Sequence, residues 1–279
     1  MGRTRVIINA DDFGWSAGVT EGILRAHRDG VVTSASMAVN MPAAEAAARR
    51  LTEAPGLGVG VHLNVSQGPA LSRAGAAFIG PDGVMNRSAV AVVAACVARP
   101  RLLDAVESEF DAQIRWALDH GIRPTHLDTH RHAHAYAPIF RRVAGLAQRY
   151  GVRFVRRYGE RLPGQGWPRA SRGQRVVSRV LNVLGRRNAA RWPTLHGTRC
   201  AWGVAHTGRI DSRWLILAAQ RVEPGVTEIM THPGLPDDLR DAETRLVESR
   251  GTELAALCDP AVKQAFARAD LELVHYGNL

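Results

Sequence analysis

Apolar and polar positions along the chain switch repeatedly between two periods. Residues 4–10, "TRVIINA", form a short β-branched run that ends at two aspartates and predicts a strand. Over residues 18–30, Val19, Ile23, Leu24 and His27 recur at helical spacing up to Gly30. The same alternation continues with a strand at 31–40, an alanine-rich helix at 42–54 with Pro42 near its start, and a strand at 57–65. A loop rich in glycine and proline fills 66–88, and helices follow at 88–98 and 102–120. "RPTHLDTH" (123–130) reads as a strand, 137–151 as a helix and 152–158 as a strand. Late strands are expected at 227–232 and 271–276, with a helix at about 244–257 between them.

Strands alternating with helices imply parallel βα units. The polar residues capable of chemistry fall at the C-terminal ends of these strands: Asp11 and Asp12, Asn40, His62 and Asn64, His126 to His130, and His232. Barrel active sites are built at that end. A doubly wound sheet also uses strand C-termini, but no GxGxxG or Walker loop is present. The expected fold is therefore an irregular, TIM-like (β/α) barrel forming one domain over 1–279. An arginine-rich segment at about 159–204 breaks the pattern and reads as an insertion. Its first part, "GERLPGQGWPRASRG", is turn-rich; residues 174–192 then place Val177, Val180, Leu181 and Leu184 on one helical face and Arg175, Arg179 and Arg186 on another. Such a helix either lies on an anionic membrane surface or packs on its own domain with its arginines in water.

Composition narrows the class. Apolar residues make up 46% and charged residues 22%, as in a soluble globular protein. No run of about 18 apolar residues suggests a membrane span, and the N-terminal apolar run is too short for a signal peptide. Cys96, Cys200 and Cys258 are far apart and form no CxxC, which fits a reducing cytoplasm. The net charge is +10, and residues 141–221 carry 18 arginines against only Glu160 and Asp211. That excess reads either as a solvated, arginine-rich surface or as attraction to something anionic: a lipid surface, a phosphate-bearing substrate or nucleic acid.

The chemistry concentrates in four segments. "NADDFG" sets two carboxylates side by side, which repel unless a cation or shared proton relieves them. His62 ends an otherwise apolar strand. "HLDTH" spaces His126, Asp128 and His130 two apart, on one face of a strand. A ligating imidazole needs its other nitrogen oriented, which this spacing can provide. His232 precedes a Pro-Gly turn. Together these offer Asp and His ligands, a spare carboxylate and a spare imidazole, as in hydrolytic sites built on two histidines and one carboxylate.

"INADDFG", "DGVVTSASMAVN", "GVHLN", "PTHLDTHRHAH" and the late "THPG" resemble, in order and spacing, the YdjC-like carbohydrate deacetylases over nearly the whole chain. The resemblance implies an irregular (β/α) barrel related to those of polysaccharide deacetylases. It implies one divalent metal ion, Mg or Zn, held by Asp12, His62 and His130. Asp11 would be the catalytic base and His232 the proton donor. His126 and Asp128 would orient the ligands, while Asn40, His132 and His134 would support the site or meet substrate. The implied substrate is an N-acetylated sugar: a chitooligosaccharide, or an N-acetylglucosaminyl lipid, since "GVAHTG" and "PGVTEIMTHPG" resemble the branch associated with hopanoid biosynthesis. Phosphoester hydrolysis could use the same ligands, but would want more carboxylates for a second metal. Nucleic-acid binding is not expected, because no RNP-type aromatic run or zinc finger is present. The expected location is cytoplasmic, with the basic helix at the inner membrane face; a homodimer is left open.

Overall fold

The computed structural model describes residues 3–160, 167–168, 170–239 and 244–279. The elements run, in order, β1 (Arg5–Phe13), α1 (Ala17–Arg28), β2 (Ser34–Met37), α2 (Ala44–Arg49), β3 (Gly58–Leu63), β4 (Gln67–Gly68), β5 (Met85–Asn86), α3 (Ala89–Ala98), α4 (Leu102–Asp119), β6 (Leu127–Thr129), α5 (Ala137–Arg149), α6 (Arg172–Arg191), β7 (Cys200–Trp202), α7 (Ser212–Ala219), β8 (Val226–Thr231), α8 (Glu248–Leu257), α9 (Pro260–Arg268) and β9 (Glu272–Leu273). Side-chain oxygens cap several helices: Ser16 accepts from the Val19 amide, Ser88 from Ala91, Ser171 from Gln174 and Asp211 from Trp214.

The main sheet is parallel, in the order β6-β3-β2-β1-β8-β7, with β9 paired to the start of β1. Isolated bridges carry the arc onward. Val155 pairs with Leu127, and Phe154 with His196, four residues before β7. The result is an irregular barrel with helices outside. β1 is buried on both faces along nearly its whole length, as expected of a central parallel strand. Its Val6, Ile8 and Ala10 join Val61, Leu127 and Ile229 in the main apolar cluster.

The expected strand at 152–158 is reduced to those single bridges, because its neighbours on either side supply only short partners. The expected strand at 271–276 keeps two paired residues; beyond them Tyr276 turns inward beneath the barrel and is fully buried. α7 and α9 were not anticipated. The proposed insertion also contains a true sheet strand, since β7 pairs with β8. Part of its turn-rich start, at 161–166 and 169, lies outside the described residues. No described helix is long and apolar enough to cross a membrane.

Candidate metal and hydrolytic site at the barrel mouth

Adjacent residues on a strand point to opposite faces, yet Asp11 and Asp12 both face the mouth. The backbone explains this. Pairing of β1 with β2 slips between Asp11 and Phe13, and Asp12 has φ 73°, in the left-handed region. This bulge re-aims the second carboxylate. The strain of a non-glycine residue at positive φ is typically of order 1–3 kcal/mol and collects at functional sites.

Asp12 Oδ1 lies 3.6 Å from His62 Nε2 and 3.5 Å from His130 Nδ1. These are too long for good hydrogen bonds, and Asp12 Oδ1 and His130 Nε2 are both buried without a partner. Donors about 2.1 Å from one tetrahedral ion would stand roughly 3.4 Å apart. The three side chains therefore form a group that could hold a metal ion. Asp12 Oδ2 accepts from Arg250 at 2.6 Å, which leaves Oδ1 free. His62 sits in register with Asp128, and its Nδ1 meets Asp128 Oδ1 at 2.7 Å, leaving Nε2 toward Asp12. That carboxylate fixes the ring and raises its basicity.

Behind this group lies a buried charge network. Arg156, fully buried, donates to both oxygens of Asp11 at 2.8 and 2.6 Å, reaches Asp128 at 2.6 Å, and donates to Glu228 at 2.8 Å. Tyr276 donates to Glu228 at 2.5 Å and stacks on His126. Ser36 joins the floor, contacting Asn9, His126 and Asp128 at 3.0 Å each. Ionised, Asp11, Asp12, Asp128 and Glu228 carry two more charges than Arg156 and Arg250 supply. Bound divalent metal would balance this excess.

The protonation tendencies follow. Burial opposes ionisation of Asp11 and Asp12, but Arg156 overcomes it for Asp11 and Arg250 for Asp12, so both lie below the usual carboxylate range. Burial likewise disfavours the His62 imidazolium, yet Asp128 and Asp11 prevail and raise it to about 9. A metal at Nε2 would replace that proton. His232 is pushed down to about 4 by burial, against the pull of Asp11 and Asp12. Its Nε2 stands 3.9 Å from Asp11 Oδ2. Asp11, His62 and Asp128 also lie within mutual ligand distance, but Arg156 already engages both carboxylates.

The remaining predicted residues are placed differently. His126, held down at about 3 by burial, bonds Ser36 and Thr125 and belongs to the floor. His132 meets the Tyr158 hydroxyl at 3.1 Å. His134, expected to support the site or meet substrate, is fully enclosed, with Thr129 at 2.6 Å on Nδ1 and the Arg156 carbonyl at 3.1 Å on Nε2. It therefore supports the backbone of Arg156 and does not face substrate. Asn40 is similarly occupied: its amide donates to the Gln67 and Pro69 carbonyls and accepts from Asn64. It anchors the following loop rather than presenting a free amide.

The YdjC-like protein family model matches residues 5–268. The chain belongs to the YdjC-like family. A carbohydrate deacetylase of Halalkalibacterium halodurans is 38% identical, over 91% of this chain and 94% of its own. One of Geobacillus stearothermophilus is 33% identical, over 97% and 96%. A crystal structure of an Enterococcus faecalis V583 protein shares the fold, with TM-score 0.79 over 99% of both chains at 23% identity.

Sequence reasoning within this family frame missed Arg156, Arg250, Glu228, Glu253, Ser36 and Tyr276. Glu228 carried a signal, since it is the one charged residue inside an otherwise uncharged strand run, whereas Arg156 is hidden among Arg153 and Arg157 in "VRFVRRY". Arg250 and Glu253 carried none, being ordinary helix residues until α8 packs against α1 and buries both.

Proposed function

We propose that this chain is a hydrolase that removes the acetyl group from an N-acetylated sugar, with one divalent metal ion held by Asp12, His62 and His130. The observation that carries the reading is the meeting of those three side chains around an unpartnered Asp12 oxygen, next to a second carboxylate kept ionised by Arg156. Relatives named carbohydrate deacetylase, aligned over nearly the whole chain, supply the substrate class. Two imidazoles and one carboxylate favour zinc over magnesium, which prefers oxygen donors. When bound, the ion would polarise the amide carbonyl and acidify water.

The chain's own residues do the rest. Asp11, ionised and fixed by two bonds from Arg156, accepts a proton from the attacking water. His232, neutral at the outset, takes up the proton that Asp11 has accepted, the two groups standing 3.9 Å apart, and Asp11 is left ionised again. His232 passes that proton to the departing amine. The amide C–N bond breaks, a C–O bond forms, and acetate and the free amine result.

Acetate release from N-acetylglucosamine oligomers, measured beside the metal content of the purified protein, tests this. Acetate formation that a chelator abolishes and added zinc restores is the expected result. Release of phosphate from phosphoesters without any release of acetate would overturn the reading. The finer choice between a soluble chitooligosaccharide and a lipid-borne N-acetylglucosamine turns on the surface around the mouth.

A further inference from the structure

Two helices beside the barrel mouth expose apolar side chains. Both pack against the 130–135 turn that follows β6 and carries His130 and His132. α3, "AVAVVAACVA", has no charged residue. One side buries Val92 and Cys96, while Val90, Ala91, Ala94, Val97 and Ala98 are exposed; Val90 is 78% exposed and Val97 60%. A helix apolar all round is ordinarily buried. α6 has the same property on one side. It buries Ser178, Leu181, Gly185 and Asn188, and Asn188 donates to the His134 and Ala135 carbonyls, which fixes the helix over the turn. Its outer side shows Val176, Val180 and Val183, each 40% exposed or more. At 100° per residue these three fall within a sector of roughly 60°. Arg172, Arg175, Arg179 and Arg186 form the adjacent stripe, and none pairs with a carboxylate among the described residues. Arg87, Arg99 and Arg101 flank the ends of α3 and are also exposed.

We propose that α3 and the outer side of α6 form one docking face for an anionic bilayer, and that the acetylated sugar reaches the barrel mouth on a lipid held in that bilayer. The second half rests on the deacetylase reading; the first does not. Valines bordered by an arginine stripe, and joined by the exposed Arg187 one turn beyond Val183, match an interface in which apolar groups enter the acyl boundary and cations meet headgroup phosphates. A second copy of the chain fits the face poorly. Two-fold pairing of α6 would bring unpaired arginine stripes together. Nucleic acid would satisfy the arginines but gain nothing from the valines.

Flotation of the full chain with vesicles tests the docking. Phosphatidylcholine vesicles containing phosphatidylglycerol should carry the protein upward at low salt, and pure phosphatidylcholine vesicles should not. At about fivefold in partition per basic residue near an anionic surface, Arg175→Gln with Arg179→Gln and Arg186→Gln should lower partition roughly a hundredfold. Val90→Ser with Val97→Ser should lower it through the apolar contribution, with little change in salt dependence. All these side chains are solvent-exposed, so the variants should melt like the parent. Equal flotation with both vesicle types, no flotation, or an unaffected triple variant would overturn the proposal. So would a dimer in light scattering that Val90→Ser with Val97→Ser dissolves. For the substrate, the triple variant should lose acetate release from an N-acetylglucosaminyl lipid in anionic vesicles while keeping release from a soluble oligomer. Equal loss on both would overturn the lipid route. Acetate from neither, with vesicle binding intact, would sink the deacetylase reading and leave the docking face standing.

Discussion

The adjacent aspartates differ in what holds them, so their substitutions should separate cleanly. Asp12 offers an unpartnered oxygen to two histidines, whereas both oxygens of Asp11 are bonded by Arg156. Asp12→Asn should lose most bound metal. Asp11→Asn should keep its metal and lose about 10²–10⁴-fold in turnover, read as metal content beside acetate release. Near-normal turnover in Asp11→Asn would place the base elsewhere. Glu253 gives a prediction in pH. It accepts the His232 amide at 2.6 Å and the Gly208 amide at 3.2 Å, and burial raises it from 4.5 to about 7. Between those values the folded protein binds the proton more tightly than the unfolded chain. This stabilising contribution is therefore complete below about 4.5 and is lost as pH rises through about 7. Denaturation midpoints of the parent should fall over that window relative to Glu253→Gln, which cannot titrate; parallel profiles would refute it. At this scale the sequence displays the ligand types and the "DD" pair. It conceals their common orientation, because that depends on a bulge and a positive φ at Asp12 rather than on residue type.

Elements were legible where period and length agreed. β1, α1, β3, α4, α5 and β8 fall within a few residues of their expected bounds. Those that failed are short and set by partners. The histidine run keeps only Leu127–Thr129 as strand and then turns, with Arg131 and His132 at φ 52° and 61°. Strand spacing therefore holds for His126 and Asp128, which share Ser36, but not for His130. α6 was visible from its amphipathic spacing, although the buried face is not the one its valines suggested: Leu181 goes inward and Val180 stays exposed. Its close approach to the mouth depends on Gly185, where an added Cβ would stand 2.9 Å from the Tyr158 carbonyl oxygen and 3.0 Å from the Tyr158 Cβ. Gly185→Val should cost about 1–3 kcal/mol by overpacking, seen in thermal unfolding. It should also weaken activity by displacing Tyr158 from His132. Unchanged stability would mean α6 can lift away freely.

At the scale of the molecule, a strongly basic protein encloses an acidic interior. Among the described residues of 141–221 the arginines lie mostly outside, while Arg156 alone reaches the barrel centre to meet three carboxylates. Tyr276 closes the floor beneath it. Tyr276→Phe should cost about 1–3 kcal/mol, since Glu228 loses a buried donor. Tyr276→Ala should cost about 3–5 kcal/mol, because the stacking on His126 and the filled volume go as well. Equal effects from the two would show that the hydroxyl is the whole contribution. The barrel class was legible from alternation and from polar residues at strand ends. How the ring is continued was not, because two isolated bridges carry no pattern of their own.

The pairing of β1 with β8 and β9 also bears on how the chain is made. β1 leaves the ribosome long before two of its partners, Val226–Thr231 and Glu272–Leu273, which follow more than 200 residues later. Asp11 leaves the ribosome long before Arg156, and Asp12 long before Arg250. Until then the aspartates must remain hydrated, and an edge of β1 stays open to mispairing. Contacts so distant in sequence make ring closure a late, slow event. The nascent protein therefore passes a long interval in which a chaperone that covers β1 would raise the yield of folded enzyme.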